Sequence, residues 1–216
     1  RSEVFITNVN GTITIIGGDA LSEARISGTK SVEDQSEDAA MQHMVDIAVD
    51  VQESSSALTI KTLQPSTSQR RTYQVNYEMM VPSSWKVTAS DVNGNVDIQN
   101  IRNTVTSSVV NGIVNTTDIT GSVNVTVTNG TINAKVYVPE TGSCALTLVN
   151  GNVLLLAPRT LSASVSASVV LGTVSVTNLP IVYTTNTRTS VVGIVGGGKG
   201  TVRLSSVNGV VQLIGL

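Results

Sequence analysis

Residues Ser90–Ala134 read SDVNGNVDIQNIRNTVTSSVVNGIVNTTDITGSVNVTVTNGTINA, and the spacing within this stretch decides the fold. Asn-Gly pairs fall at Asn93-Gly94, Asn111-Gly112 and Asn129-Gly130, which sets successive glycines 18 residues apart. A half-repeat is nested inside, since Gly121 opens a similar unit midway between the last two pairs and Asn103 stands midway between the first two. Self-similarity at a fixed period near twenty marks a chain wound into stacked coils. The Asn-Gly pair suits the corner of such a coil. Glycine tolerates positive φ, and asparagines at the same corner of successive coils can bond amide to amide.

Further glycines follow at Gly151, Gly172, Gly193 and Gly209, at spacings of 21, 21, 21 and 16. After each corner polar and apolar residues alternate, as in Asn95-Val96-Asp97-Ile98 and Thr173-Val174-Ser175-Val176. Strict alternation marks strands buried on one side, so Val96, Ile98, Val114, Val123, Val125, Ile132, Val174 and Val176 are expected to point inward. Asn93, Asn111, Asn129 and Asn150 form the expected ladder, which Leu171 and Val192 interrupt and Asn208 resumes. A single coil cannot bury its apolar face, so the coils must stack, and at about 4.8 Å per strand they make a rod roughly 30–40 Å long.

The first 90 residues diverge from this pattern. Glu3–Gly17 repeats the unit as strand, Asn-Gly turn and strand, and a further strand is expected around Ala24–Ile26. Ser31–His43 is the one credible helix, with Ser31 as its cap and four carboxylates on a solvated face. Val45, Ile47, Val49 and Val51 alternate as one strand and Leu58–Leu63 pairs with it. Pro65–Arg71 reads as a polar loop, and Tyr73, Val75, Tyr77, Met79 and Val81 alternate as another strand. The expectation is one all-β domain over 1–216. It is a parallel β-solenoid with coils of about 18–21 residues: divergent N-terminal coils and a short helix over 1–90, regular repeats over 91–216.

Composition agrees. Charged residues make up 13%, aromatics 3% and hydrophobics 40% of the 216 residues, whereas helical proteins draw more on Glu, Lys, Leu and Arg. Residues 1–90 hold 7 Lys/Arg and 11 Asp/Glu; the remainder holds 6 and 4, with no acid after Glu140. Arg159, Arg188, Lys199 and Arg203 therefore have no acidic neighbour in sequence. They are too sparse for a nucleic-acid footprint, which needs a dense basic stripe. No apolar run reaches the ~18–20 residues of a membrane span. The first residue is arginine rather than methionine, which suggests a processed chain.

Catalytic motifs are missing. His43 is the sole histidine and Cys144 the sole cysteine, which rules out the Ser-His-Asp and Cys-His constellations and multi-histidine or multi-cysteine zinc sites. Cys144, in CALTL, reads as a small core residue. Gly193–Thr201 approaches the phosphate-binding G-x-x-x-x-G-K-[ST], but Gly200 replaces the hydroxyl residue and a strand-like run follows where a helix is needed. Paired carboxylates for glycan hydrolysis would have to come from Asp91, Asp97, Asp118 and Glu140, of which Asp97 and Asp118 could meet on adjacent coils. Surface solubility is the simpler reading. Asn10, Asn115, Asn124 and Asn129 lie in N-x-[ST] patterns that an Asn- and Thr-rich chain produces by chance. No catalytic, cofactor or metal residue is therefore assigned.

Three segments carry a family resemblance: VPSSWKVTASDVNGNVDI (Val81–Ile98), GGGKGTVRLSSVNGVVQL (Gly196–Leu213) and NVNGTITIIGGD (Asn8–Asp19). With the repeated VNG and TNG turns, they resemble the bacterial putative-adhesin β-helix family, including the head domains of putative autotransporter adhesins. The resemblance carries no catalytic motif and implies a parallel β-solenoid exposed on, or secreted from, a bacterial cell. The chain opens almost at once with the strand Val4, Phe5, Ile6, and it closes in the strand holding Val211, Leu213 and Ile214 with no charged or helical cap after it. Open, oppositely charged ends of this kind suggest head-to-tail filaments. The alternative is a monomer that binds a surface glycan or a protein. Runs apolar on both parities, Val153–Ala157, Val169–Leu171 and Val191-Val192, suggest outer faces covered by residues 31–81 or by another subunit.

Overall fold

A computed structural model describes residues 1–65 and 70–216; the expected loop Pro65–Arg71 lies in part outside the described residues. The strands are β1 (Glu3–Thr7), β2 (Asn10–Gly18), β3 (Arg25–Glu33), β4 (Ala48–Glu53), β5 (Ala57–Leu63), β6 (Thr72–Pro82), β7 (Lys86–Gln99), β8 (Val105–Ile119), β9 (Val123–Val136), β10 (Ser143–Ala157), β11 (Ala163–Thr177), β12 (Ile181–Asn186), β13 (Ser190–Val195) and β14 (Gly200–Gly215). Among the described residues there is a single short α-helix, α1 (Glu37–His43), followed by a 3-10 turn at Met44–Asp46. The protein is all-β and its sheet is mixed. The long strands run parallel and antiparallel strands close the two ends.

Each long strand bends at its centre. In β8 the inward residues are Val105, Ser107 and Val109 before the corner and Val114 and Thr116 after it, so the parity flips across Asn111-Gly112. The flip lets one strand contribute to both walls of the core. Neighbouring strands repeat it in register: Val96 pairs Val114, which pairs Ile132. Val96, Ile98, Val114, Val123, Val125, Ile132 and Val174 are buried, while Val176, on the outermost rung of its wall, is half-buried. Each such side chain contributes roughly 1.5–3 kcal/mol by leaving water.

The hydrogen-bonded order is β12-β13-β11-β14-β10-β9-β8-β7-β1-β5-β4, with β2 between β6 and β7 and β3 on the far side of β6. This order corrects the expected end-stacking strands. Val4, Phe5 and Ile6 lie in β1, held between β5 and β7. Val211, Leu213 and Ile214 lie in β14, held between β10 and β11. An interior slot bonds both edges of a strand, whereas a terminal slot leaves one edge unpaired. The ends are instead closed by antiparallel strands, β4 on β5 and β3 on β6 at one end, and β13 on β11 with β12 outside it at the other.

Other differences have local causes. Ser31–Glu33 continue the pairing of β3 with β6, so the helix starts later and Ser36 caps it, its hydroxyl accepting from the Ala39 N–H at 3.2 Å. Val45 falls in the 3-10 turn and is 83% exposed, and Val51 is exposed on the outermost strand β4. Gly193 sits in antiparallel β13 and is not a coil corner. Residues 31–81 lie at the opposite end of the sheet order from Val169–Leu171 and Val191-Val192, so they do not cover those runs. Lys199 does have an acidic partner, since its Nζ lies 2.6 Å from Glu140.

Two buried groups give checkable consequences. Ser107 Oγ and Thr116 Oγ1 point inward from β8 without hydrogen-bond partners. Thr116→Val replaces an unpaired hydroxyl by a methyl group and is expected to raise stability by about 1 kcal/mol. The urea midpoint should rise at unchanged slope; a lower midpoint would mean that the hydroxyl is bonded. Cys144 is buried in the core, and burial pushes its thiol up to about 12. The native protein should resist a thiol-specific disulfide reagent at pH 8, whereas the urea-unfolded chain reacts at once.

Candidate functional site

The most regular exposed feature is the Asn-Gly corner. Asn93 donates its amide N–H to Asn10 Oδ1 at 2.9 Å, Asn111 to Asn93 at 2.8 Å, Asn129 to Asn111 at 2.9 Å, Asn150 to Asn129 at 2.8 Å and Asn208 to Asn150 at 2.7 Å. Asn208 thus follows Asn150 directly in space, and Leu171, opposite Asn208 on β11, ends the ladder. At the other end Asn10 donates to the Tyr73 carbonyl at 2.9 Å. Asn10 and Gly11 extend the ladder beyond the candidates read from the 18–21-residue spacing, although their VNG triplet signals the same corner. Each inner amide uses one of its two N–H groups and one of its carbonyl lone pairs in the ladder. The second N–H and lone pair remain for solvent or a ligand.

The glycines beside the ladder make this stacking possible. A Cβ on Gly94, Gly112, Gly130, Gly151, Gly172 or Gly209 would stand 1.7–1.8 Å from the carbonyl oxygen of the neighbouring rung's glycine. On the outer side Val92, Val110, Val149, Val207 and Val170 stand exposed in one column, interrupted by Thr128. A second ladder runs along the other wall, where Asn115 donates to Asp97 at 2.6 Å and Asn133 donates to Asn115 at 2.9 Å. The 18-residue spacing of these three residues was the signal for it.

Where the corner meets the β3–β4 end, a groove of about 780 Å³ opens between Asn10, Asn93, Asn95, Tyr73, Gln74 and Arg71. Its rim is braced by charge. Arg71 Nε lies 2.6 Å from Asp34, Tyr73 donates its hydroxyl to Asp46 at 2.9 Å, and His43 Nδ1 lies 2.8 Å from Asp46. The backbone N–H of Gln35 and the Arg71 side chain hold Asp34 below the usual carboxylate range, and His43 and Tyr73 do the same for Asp46. Beneath the groove a buried polar chain links Tyr77, Thr62, Asn8 and Asp91. Asp91 is 3% exposed, and burial raises its pKa to about 6. Sequence reading did not connect these four residues, which meet only through strand pairing.

Asp97 and Asp118, the pair considered for hydrolysis on adjacent coils, line different grooves. Asp97 lines a groove with Asn133 and Leu154, while Asp118 lines another with Asp19 and Arg102 and lies 2.7 Å from Lys135 Nζ. The Gly193–Thr201 segment joins two strands, with Gly196 and Gly198 at positive φ, and no helix N-terminus follows. Among the described residues no three His, Cys, Asp or Glu side chains form a metal cluster, and no helix is long and apolar enough to cross a membrane. The geometry offers a repeated amide and valine surface ending in a polar groove, suited to hydrogen bonding and apolar contact.

The family model Toastrack DUF4097 matches residues 94–213. A solved structure of a putative cell adhesion protein from Clostridium sporogenes is similar over 100% of this chain and 93% of that one, with a TM-score of 0.53 at 9% identity. At that identity the likeness is one of fold. No curated protein matches the sequence.

Proposed function

This chain belongs to the Toastrack DUF4097 family, and from that premise we propose that it is a non-enzymatic structural and adhesin-like protein of the bacterial cell surface. The reading takes the stack as a β-solenoid with coils of 18–21 residues, displayed outside the cell. The observation that carries it is the corner: six asparagines bonded rung to rung beside a column of exposed valines. An array repeating at the strand spacing of about 4.8 Å can hold an extended partner by many weak contacts, whose avidity exceeds any one of them. The C. sporogenes fold neighbour and the resemblance to autotransporter adhesin heads point the same way.

The alternative is a monomeric binding module for a surface glycan or a protein, favoured by the groove at the β3–β4 end. Immobilised protein challenged with bacterial envelope polysaccharides and with host surface proteins separates the two. Retention lost in stages as Val110→Glu and Val149→Glu are introduced supports the extended face. Retention lost only in Gln74→Ala supports the groove. Release of new reducing ends from any polysaccharide would sink both.

A further inference from the structure

We infer that the β12–β13 end of the stack is a docking surface for a second copy of this chain, joined about a two-fold axis with the β12 strands antiparallel. β12 is the outermost strand at this end, paired only on its β13 side. Neither β12 (IVYTTN) nor β13 (SVVGIV) contains a charged residue. Apolar side chains stand open here: Val182 is 74% exposed, Leu171 68% and Val170 67%, and Ile194, cross-strand from Val182, is exposed on the same face. An uncharged apolar edge is a template for strand pairing that monomeric proteins ordinarily blunt with charge. The irregularity between Tyr183 and Thr185 bends β12 but adds no charge.

Charge selects the occupant. The opposite end presents β3 with Arg25, Lys30 and Glu33 and β4 with Asp50 and Glu53. Head-to-tail stacking would press those charges against the uncharged edge of β12, which desolvates them and offers no charged partner beyond those they have at their own end, such as Arg1 for Glu53 and the Ile47 carbonyl for Lys30. Pairing of the uncharged β12 edge with its own copy avoids this and leaves Arg188, in the turn between β12 and β13, exposed outside the paired strands. A strand edge is self-complementary about a two-fold axis, so the contact closes at two subunits and does not propagate. The patch is small beside the 20–30 residues per side of a standard interface, so the expected dimer is a weak, reversible one. The inference does not depend on what the corner binds.

Sedimentation velocity on the full chain from about 1 to 300 µM, with circular dichroism to verify folding, tests it. The expected result is a monomer–dimer equilibrium with no larger species, and a dissociation constant raised at least tenfold by Val182→Lys and unchanged by Val45→Lys at the other end. Thr184→Cys, with Cys144 buried, should give a dimer cross-link under mild oxidation. A monomer at every concentration, open-ended oligomers, or equal effects of the two lysines would overturn it. Such outcomes would leave this end to a different partner, to head-to-tail contact or to solvent.

Discussion

Gly151→Ala is expected to destabilise the protein by about 2–6 kcal/mol. The new Cβ would lie 1.8 Å from the Gly130 carbonyl oxygen, and the residue sits at φ +133°, which side chains rarely adopt. Relief requires neighbouring rungs to part, which breaks the ladder bonds of Asn150 to Asn129 and Asn208. Overpacking costs about 1–3 kcal/mol and backbone strain a similar amount; here they act together. Gly94→Ala separates the two causes. Its Cβ would stand 1.7 Å from the Gly11 oxygen, but its φ is not positive. Equal loss of urea stability in both variants would assign the cost to the clash. A mild effect in both would show that the rungs can separate and that the glycine column is not what holds the stack together.

Asp91→Val is expected to stabilise the protein above pH 7 and to remove a pH dependence that the parent shows. Two of the three donors to Asp91, the Asn8 amide and the Asn93 N–H, have other acceptors. The Asn93 N–H also reaches the Val9 carbonyl at 2.8 Å, and the Asn8 amide reaches the carbonyls of Val75 at 2.9 Å and Asn10 at 3.0 Å. Removing the carboxylate therefore leaves these two donors partnered, and Val109 and Val127 already fill the equivalent positions on β8 and β9. Aspartates of an unfolded chain titrate near 4, so the folded state, with Asp91 at about 6, holds the proton more tightly. That advantage is complete below pH ~4 and lost as pH rises through about 6, a change on the order of 3 kcal/mol. Chemical denaturation of both proteins between pH 4 and 8 should show the parent falling relative to the variant across this window. A constant difference would mean that Asp91 does not titrate there.

The legible part of the fold was the part written in local repeats. Asn111-Gly112 and Asn129-Gly130 marked corners, and residues such as Val114 and Ile132 marked inward faces, because parallel stacking in register places chemically equivalent residues one above another. Alternation and turn chemistry act within a few residues, so one chain segment suffices to read them. The order of the rungs was another matter. Nothing local to Val4–Ile6 or Val211–Ile214 separates an inner strand from an outer one, since both alternate alike. The chain lays down β1 before the rung that flanks it and returns β14 between β10 and β11. That choice is made by non-local hydrogen bonding, which satisfies both edges of these strands and assigns the outer edges to β3, β4 and β12. The groove beside Asn10 and the buried chain from Tyr77 to Asp91 arise the same way, from segments up to 83 residues apart in sequence. The sequence alone determined the corner, its glycines and the β-stack. Tertiary pairing decided which strands are ends, and so which surfaces are free to bind.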